Sequence, residues 1–462
     1  MGIILAGDRS GTGKTTLTLA LLSALTQQGQ QVQSFKVGPD YIDPMFHSAV
    51  TKRPCYNLDP VLTSSAYVQR SYHTYSAKAD MAVVEGVMGL FDGATGTDDT
   101  ASTAHIARLL KLPVLLVVDC GSMSRSLAAL VQGYRNFDPQ VNIAGVILNR
   151  VGSDRHLQLL REALSAIKMP IFGVFRRERN IQLPSRHLGL VPKGEIQSFD
   201  RIAQRLAELG KTCFDWTKLK PLLEKSPPVS LASRAAIIAS SSEMTEPRVK
   251  IAVAQDDAFN FYYRDNLELL EAQGAEIVPW SPLGSDRLPP AQGLYFGGGF
   301  PEVFADELSA NVRLRESIKS AIAQGMPTYA ECGGLMYLSQ KLIDFDGIAR
   351  PMVGTIPQTV SMGKRLTLGY RKAKVNTHSP LLVTGETVCG HEFHRSCVEG
   401  ALSQPLYEVC RYWGDTNKPQ MEGYCTSTVQ ASYVHLHWGD RLDIPRRFVD
   451  SCRRYLQNSC MP

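Results

Sequence analysis

Residues 7–16 read G-D-R-S-G-T-G-K-T-T, directly after the apolar run at residues 3–5 and directly before a helical pattern at 17–25. A glycine-rich turn between a strand and a helix frees backbone N–H groups to cradle phosphates at the helix N-terminus. Gly11, Thr12, Gly13, Lys14, Thr15 and Thr16 are therefore the candidate nucleotide-binding residues, with Lys14 reaching the β- and γ-phosphates of ATP and Thr15 ligating Mg²⁺. The spacing is slightly irregular. The usual first glycine stands five positions before Gly13, where this chain has Asp8, and Gly7 lies one step earlier.

The surrounding text fits that loop. Short apolar runs at 81–84, 113–118 and 143–148 alternate with helical-period segments, which predicts a parallel sheet flanked by helices. The runs end in Glu85-Gly86, Asp119 and Asn149, and open α/β sheets bind ligands beyond the carboxyl ends of their strands. Mg²⁺ needs carboxylates near the phosphates, so Glu85, with Asp43 and Thr15, forms the candidate metal set. Asp40 and Asp92 add further acids, although any one acid also reads as a turn former or a solvated loop residue. Lys36 follows the run at 32–35 and fits either a partner for a phosphate or carboxylate or a snorkelling surface lysine.

A second chemistry-bearing stretch lies far downstream. In P-T-Y-A-E-C-G-G-L, Cys332 sits between an apolar run and helical text, the pattern of a nucleophile elbow, with a helix N-terminus to favour the thiolate. Upstream, residues 294–296 run into Gly297-Gly298-Gly299. Backbone N–H groups of Gly298, Gly299 and Gly333 are the candidate oxyanion donors. His435 and His437 in S-Y-V-H-L-H-W are candidate general bases. A rival constellation, His391, Glu392, His394 and Cys397 in G-H-E-F-H-R-S-C, mimics a metal site, but zinc sites carry a second ligand pair and none is apparent.

At 462 residues the chain exceeds what one core usually organises. A Ser-, Pro- and Ala-rich stretch from about 224 to 250 reads as a linker, a second alternating α/β region follows to about 438, and a basic helical tail ends the chain. Ten cysteines scattered from Cys55 to Cys460 without a C-x-x-C pair read as reduced thiols, so a cytoplasmic location is expected. The first residues lack a signal-peptide pattern, and no run is long and apolar enough to span a membrane. A net charge of +5 with dispersed Lys and Arg gives no nucleic-acid footprint.

Seven blocks, taken in order, carry a resemblance: FKVGPDYIDP (35–44), NLD (57–59), VVEGVMGLFDG (83–93), IAGVILNRV (143–151), LPSRHLGLVP (183–192), FYYRDNLELLE (261–271) and GHEFHRS (390–396). Over essentially its whole length the chain resembles the cobyrinate a,c-diamide synthase family, glutamine-dependent amidotransferases of the cobalamin pathway. The resemblance implies an α/β architecture: a P-loop, dethiobiotin-synthetase-like synthetase domain (1–223), a linker (224–247), a class I glutamine amidotransferase domain (248–441) and a tail (442–462). It implies that Lys14 and Thr15 hold ATP and Mg²⁺, that Asp40, Asp43, Glu85 and Asp92 surround metal and substrate, and that Cys332 is the glutaminase nucleophile. The activating histidine of related families stands in a T/S-Y-x-H context, which aligns with His435. Their glutamate two residues later is His437 here, so the third triad member stays open. The implied substrates are a tetrapyrrole carboxylate, L-glutamine and ATP, with a homodimer as the candidate assembly. Rival readings are the same chemistry on nickel-sirohydrochlorin or hydrogenobyrinate and, in another class, a P-loop switch ATPase, which the glutaminase constellation opposes.

Overall fold

The computed structural model describes residues 2–177, 184–186, 189–196, 199–224, 248–400, 404–413 and 419–459. Contacts divide the chain into two compact units, Met1–Pro60 with Ser64–Arg234, and Val61–Thr63 with Ala235–Pro462. The expected linker from 225 onward lies outside the described residues, as do residues 183, 187 and 188 of the fifth block and the last three residues of the tail.

The first unit is built on a seven-stranded sheet of β1 (Ile3–Gly7), β2 (Val32–Val37), β3 (Tyr56–Leu58), β4 (Met81–Gly89), β5 (Val114–Asp119), β6 (Ile143–Val151) and β7 (Ile171–Arg176). The strands run in the order β3-β2-β4-β1-β5-β6-β7 and every pairing is parallel. Strands buried on both faces need continuous apolar text. Ile3, Ile4, Leu5, Val83, Val84 and residues 114–118 are all inaccessible to solvent. β1 lies centrally between β4 and β5, so the loop leading into α1 (Lys14–Gln27) emerges beside the carboxyl ends of both neighbours. α2 (Ile42–Thr51) buries Phe46 and His47.

In the second unit a twelve-stranded mixed sheet begins as a parallel set of β8 (Val249–Ala254), β9 (Ala275–Trp280), β10 (Gly293–Phe296), β11 (Thr328–Glu331) and β14 (Val429–Ser432), ordered β9-β8-β10-β11-β14. It then continues through antiparallel strands, including β12 (Ile356–Val375) paired with β13 (Thr387–Glu399), which in turn pairs with β15 (His435–Leu436). α3 (Gly333–Leu338) follows β11 directly. The expected tail is α4 (Asp443–Ser459), whose Phe448, Val449 and Cys452 are fully buried in the core beside β8. Through residue 459 the segment is thus a structural helix of this unit rather than an appendage. Among the described residues no helix is long and apolar enough to cross a membrane.

Candidate active sites

The phosphate-loop geometry explains the irregular spacing. A Cβ on Gly7 would stand 2.6 Å from Thr12 Oγ1, 2.8 Å from the Arg9 carbonyl and 3.0 Å from Lys14 Nζ, so Gly7 is the position that must lack a side chain. Asp8, which follows it, is buried and paired with Arg9 at 2.6 Å. Gly13 caps α1 with φ 95°, a left-handed conformation suited to glycine. Its missing Cβ also makes room for Asn149 at the end of the β6 core, which donates to the Thr12 carbonyl at 2.7 Å. Lys14 Nζ rests on the carbonyls of Arg9 and Met88. Burial, reinforced by the Lys36 charge, lowers its ammonium to about 8.

The acidic residues do not behave as one set. Glu85 is fully buried; its Oε1 accepts from Thr15 Oγ1 at 2.7 Å and from Lys36 Nζ at 3.0 Å, while Oε2 lies 2.7 Å from His47 Nε2. Asp43 pairs with Lys36 at 2.6 Å and lies 3.3 Å from Thr15 Oγ1. Lys36 is only 3% exposed, which excludes the snorkelling alternative. Burial alone would discharge it, but Asp43, Glu85 and Asp40 outweigh that penalty and hold the ammonium above its usual range. Burial and Asp40 push Asp43 up to about 8, whereas Lys36 and His47 overcome burial to keep Glu85 ionised. Asp40 lies 3.9 Å from Lys36 and caps the start of α2, accepting from the N–H groups of Ile42 and Asp43. Asp92 accepts from the Gly89 N–H at 2.9 Å and closes its own turn. Thr15, Asp43 and Glu85 bring a hydroxyl and two carboxyl groups together as hard oxygen donors, one of them, Glu85, held ionised, a donor chemistry that fits a hard cation such as Mg²⁺.

At the second site β11 ends at Glu331, Cys332 adopts φ 46° and ψ −98°, and α3 begins at Gly333. A non-glycine residue in this region is strained, and such strain is typical of functional turns. The Cys332 N–H donates to the Ser432 carbonyl at 2.7 Å, tying the turn to the end of β14. A Cβ on Gly333 would lie 3.0 Å from Gly299 N, and one on Gly298 would lie 2.7 Å from His435 Cε1. Gly298 is therefore the surface on which the cysteine turn and the histidine converge. The helix N-terminus does not win the thiol: burial, helped by Glu302, pushes Cys332 well above the usual thiol range despite the opposing Gly333 N–H. Attack from this resting state needs a base.

The two histidines separate cleanly. His435 Nδ1 lies 3.6 Å from Glu331 Oε2, a buried carboxylate that also takes hydrogen bonds from Tyr295, Tyr329 and the Leu436 N–H. His437 Nε2 instead lies 3.4 Å from Asp265, and its ring packs on Tyr263. The carboxylate beside His435 is thus the residue immediately before Cys332 and was missed in the sequence because strand text gives it no distinguishing signal. In the rival constellation Glu392 pairs with Arg371 at 2.6 Å and Cys397 Sγ donates to the Ser361 carbonyl. Among the described residues no group of three or more His, Cys, Asp or Glu is placed to hold a metal ion.

Comparison with known proteins agrees with both halves. Residues 3–191 match the CobQ/CobB/MinD/ParA nucleotide-binding domain, and residues 250–442 match the CobB/CobQ-like glutamine amidotransferase domain. The chain is 54% identical to a cobyrinate a,c-diamide synthase of Synechococcus, over 98% of this chain and 99% of that one. It is 52% identical to a protein of the same name from Synechocystis, over 98% and 93%. It is also 43% identical to a hydrogenobyrinate a,c-diamide synthase of Streptomyces coelicolor, over 98% and 97%. With a nucleotide-binding half, a glutaminase-type half and similarity along its whole length, the chain belongs to the cobyrinate a,c-diamide synthase family of glutamine-dependent amidotransferase ligases.

Proposed function

We propose that the protein amidates the a and c carboxylates of cobyrinate, using ATP and the ammonia released from glutamine. The observation that carries this reading is the full-length identity to relatives bearing that activity in their names. Residues 1–223 are assigned to activation and 248–441 to ammonia release, joined by 224–247.

In the glutaminase half, His435 takes the thiol proton and Cys332 Sγ attacks the carboxamide carbon of glutamine. Glu331, 3.6 Å from His435 Nδ1, steadies the imidazole and the imidazolium it becomes. N–H groups of Gly298, Gly299 and Gly333 hold the oxyanion. As the C–N bond breaks, the leaving nitrogen takes the proton from His435, and water then hydrolyses the thioester to glutamate. In the synthetase half, the substrate carboxylate takes the γ-phosphoryl group of ATP to form an acyl phosphate, and ammonia displaces phosphate from the acyl carbon. Gly11 to Thr16 hold the phosphates, with Lys14 moving from its two carbonyls onto them. Thr15, Asp43 and Glu85 would hold Mg²⁺, which neutralises charge on the transferring group. Lys36, Asp40 and Asp92 are assigned to the substrate side.

The Streptomyces relative favours hydrogenobyrinate as the second reading. Incubating the purified protein with Mg-ATP, glutamine and either cobyrinate or hydrogenobyrinate, with products followed by mass, separates the two. Two successive amidations on cobyrinate are expected, and no mass change on either tetrapyrrole would overturn the assignment. Cys332→Ala should fail with glutamine while added ammonium still supports amidation, whereas loss of both would remove Cys332 from ammonia release.

A further inference from the structure

His47 takes no part in the steps above, yet its ring is wholly buried against the phosphate-loop site. It comes from α2, where Asp43 and His47 stand four positions apart and so share one face of the helix. That face presents two groups to the site: Asp43 Oδ2, 3.3 Å from Thr15 Oγ1, and His47 Nε2, 2.7 Å from Glu85 Oε2. The other oxygen of Glu85 accepts from Thr15 Oγ1 at 2.7 Å and Lys36 Nζ at 3.0 Å. The carboxylate is thus divided, with Oε1 turned toward the candidate metal set and Oε2 committed to the histidine.

The far edge of the ring is held too. His47 Nδ1 lies 3.4 Å from Cys55 Sγ. Cys55 donates its own N–H to Ser48 Oγ at 3.0 Å, and Ser48 Oγ donates to the Pro44 carbonyl at 2.8 Å, so the cysteine is tied to the helix that carries the histidine. The ring is therefore fixed at both nitrogens. A metal-ligating carboxylate only accepts hydrogen bonds, so Nε2 bears a proton and donates it to Oε2. Without that donor the buried Oε2 would lose its partner, and the side chain would turn to regain one, taking Oε1 away from Thr15 and Asp43. Groups that hydrogen-bond a metal ligand fix its orientation in this way, and their loss weakens metal binding by about ten- to a hundredfold.

We propose that His47 is a positioning residue of the synthetase half: it acts through Glu85, holding Oε2 so that Oε1 stays directed at the cation shared with Thr15 and Asp43. This rests on the reading of Glu85 as a metal ligand. It also makes α2 a single unit for metal capture, because any displacement of that helix moves Asp43 and the holder of Glu85 together.

The test uses the full-length protein in excess over β,γ-methylene-ATP, with Mn²⁺ as the probe and loss of the free-ion electron paramagnetic resonance signal as the measure of binding. The Mg²⁺ concentration needed for half-maximal ammonium-driven amidation is the second readout. His47→Ala should weaken Mn²⁺ binding by about ten- to a hundredfold and raise the Mg²⁺ requirement in parallel, with kcat recovering toward wild type at saturating Mg²⁺. Wild-type Mn²⁺ affinity in this variant would overturn the proposal. Two amides separate positioning from packing, because glutamine carries its side-chain nitrogen where Nε2 stands and asparagine carries it where Nδ1 stands. His47→Gln should recover most of the lost metal affinity, whereas His47→Asn should not. Equal affinities in these two variants would overturn the proposal even where His47→Ala fails to fold. The underlying reading fails separately, if Glu85→Gln binds Mn²⁺ as the wild type does.

Discussion

Gly298→Ala isolates the convergence of nucleophile and base. Gly298 is not in a left-handed conformation, so alanine is compatible with its backbone and the substitution acts through space. The added Cβ would stand 2.7 Å from His435 Cε1, against the 3.4 Å at which ordinary contact begins, so the ring has to retreat by roughly 0.7 Å. It cannot do so by a loose swing, because Glu331 flanks its Nδ1 and the backbone of β15 is laddered to β13. Misplacement of a reacting group by about 1 Å costs on the order of a hundredfold in rate. Glutamine-dependent glutamate formation should therefore fall by roughly 30- to 100-fold, or about 2 to 2.7 kcal/mol in the barrier. Ammonium-driven amidation should be unchanged. Gly299→Ala provides the contrast: its Cβ would lie 2.1 Å from the Ala258 carbonyl at φ 154°, so it should lower the thermal midpoint instead. Wild-type glutamine turnover in folded Gly298→Ala would show that the histidine in contact with Gly298 is not the base.

His435→Ala should copy the silent-glutaminase phenotype with a loss of about a hundred- to ten-thousandfold, whereas His437→Ala should cost less in a glutamine-turnover assay; the reverse order would exchange their roles. Glu331→Gln should lower glutaminase kcat while leaving ammonium-driven amidation intact, and an unchanged kcat would make Glu331 purely structural. Lys14→Ala should abolish amidation from either nitrogen source, and Glu85→Gln should be partly rescued by raised Mg²⁺; near-normal ammonium-driven turnover in Lys14→Ala would remove the loop from the mechanism. Burial holds His391 down at about 3 and His394 at about 4, below the unfolded value, so the unfolded chain binds more protons between pH 6.5 and those values and stability is lost as pH falls through that window. The expected loss is roughly 2 kcal/mol per histidine at pH 5, and urea midpoints that stay flat from pH 7 to 5 would contradict it.

How much was legible depended on whether the signal was local. The phosphate loop and the cysteine turn are strand–turn–helix units whose residues lie within ten positions, so their text specifies their form. Lys36 was ambiguous because its burial depends on Asp43 from α2 and Glu85 from β4, which only the parallel pairing of β2 and β4 brings together. His47 escaped notice for the same reason: nothing in α2 announces that its ring will meet Glu85 at 2.7 Å. Asp92 joined the other acids through the resemblance, and its Oδ2 accepts from the Gly89 N–H at 2.9 Å, a turn contact that strand text does not announce. The terminal helix looked like a tail because its arginines dominate the text. Phe448 and Val449, with Cys452 one helical turn further on, were the core-facing signal. The region after 338 was expected to keep alternating helix and strand but is mostly antiparallel strand, since the 20-residue β12 carries few fully buried positions and so little apolar periodicity to read.

The two halves solve opposite electrostatic problems with one local device. In each, a buried parallel strand passes into a helix through a turn that holds a positive φ, at Gly13 with 95° and at Cys332 with 46°. At the phosphate loop the ligand brings the negative charge, so the turn needs only N–H groups and a lysine, and a glycine can occupy the strained position without cost. At the cysteine turn, on the function proposed above, the protein supplies the nucleophile itself, so the strained position has to carry a side chain, and the surrounding glycines at 298, 299, 333 and 334 yield the space instead. That exchange also explains the resting thiol. A preformed buried thiolate beside Glu302, Glu331 and Glu392 would add a negative charge to three carboxylates, whereas a thiol deprotonated by His435, as proposed above, creates that charge only at the moment it is used.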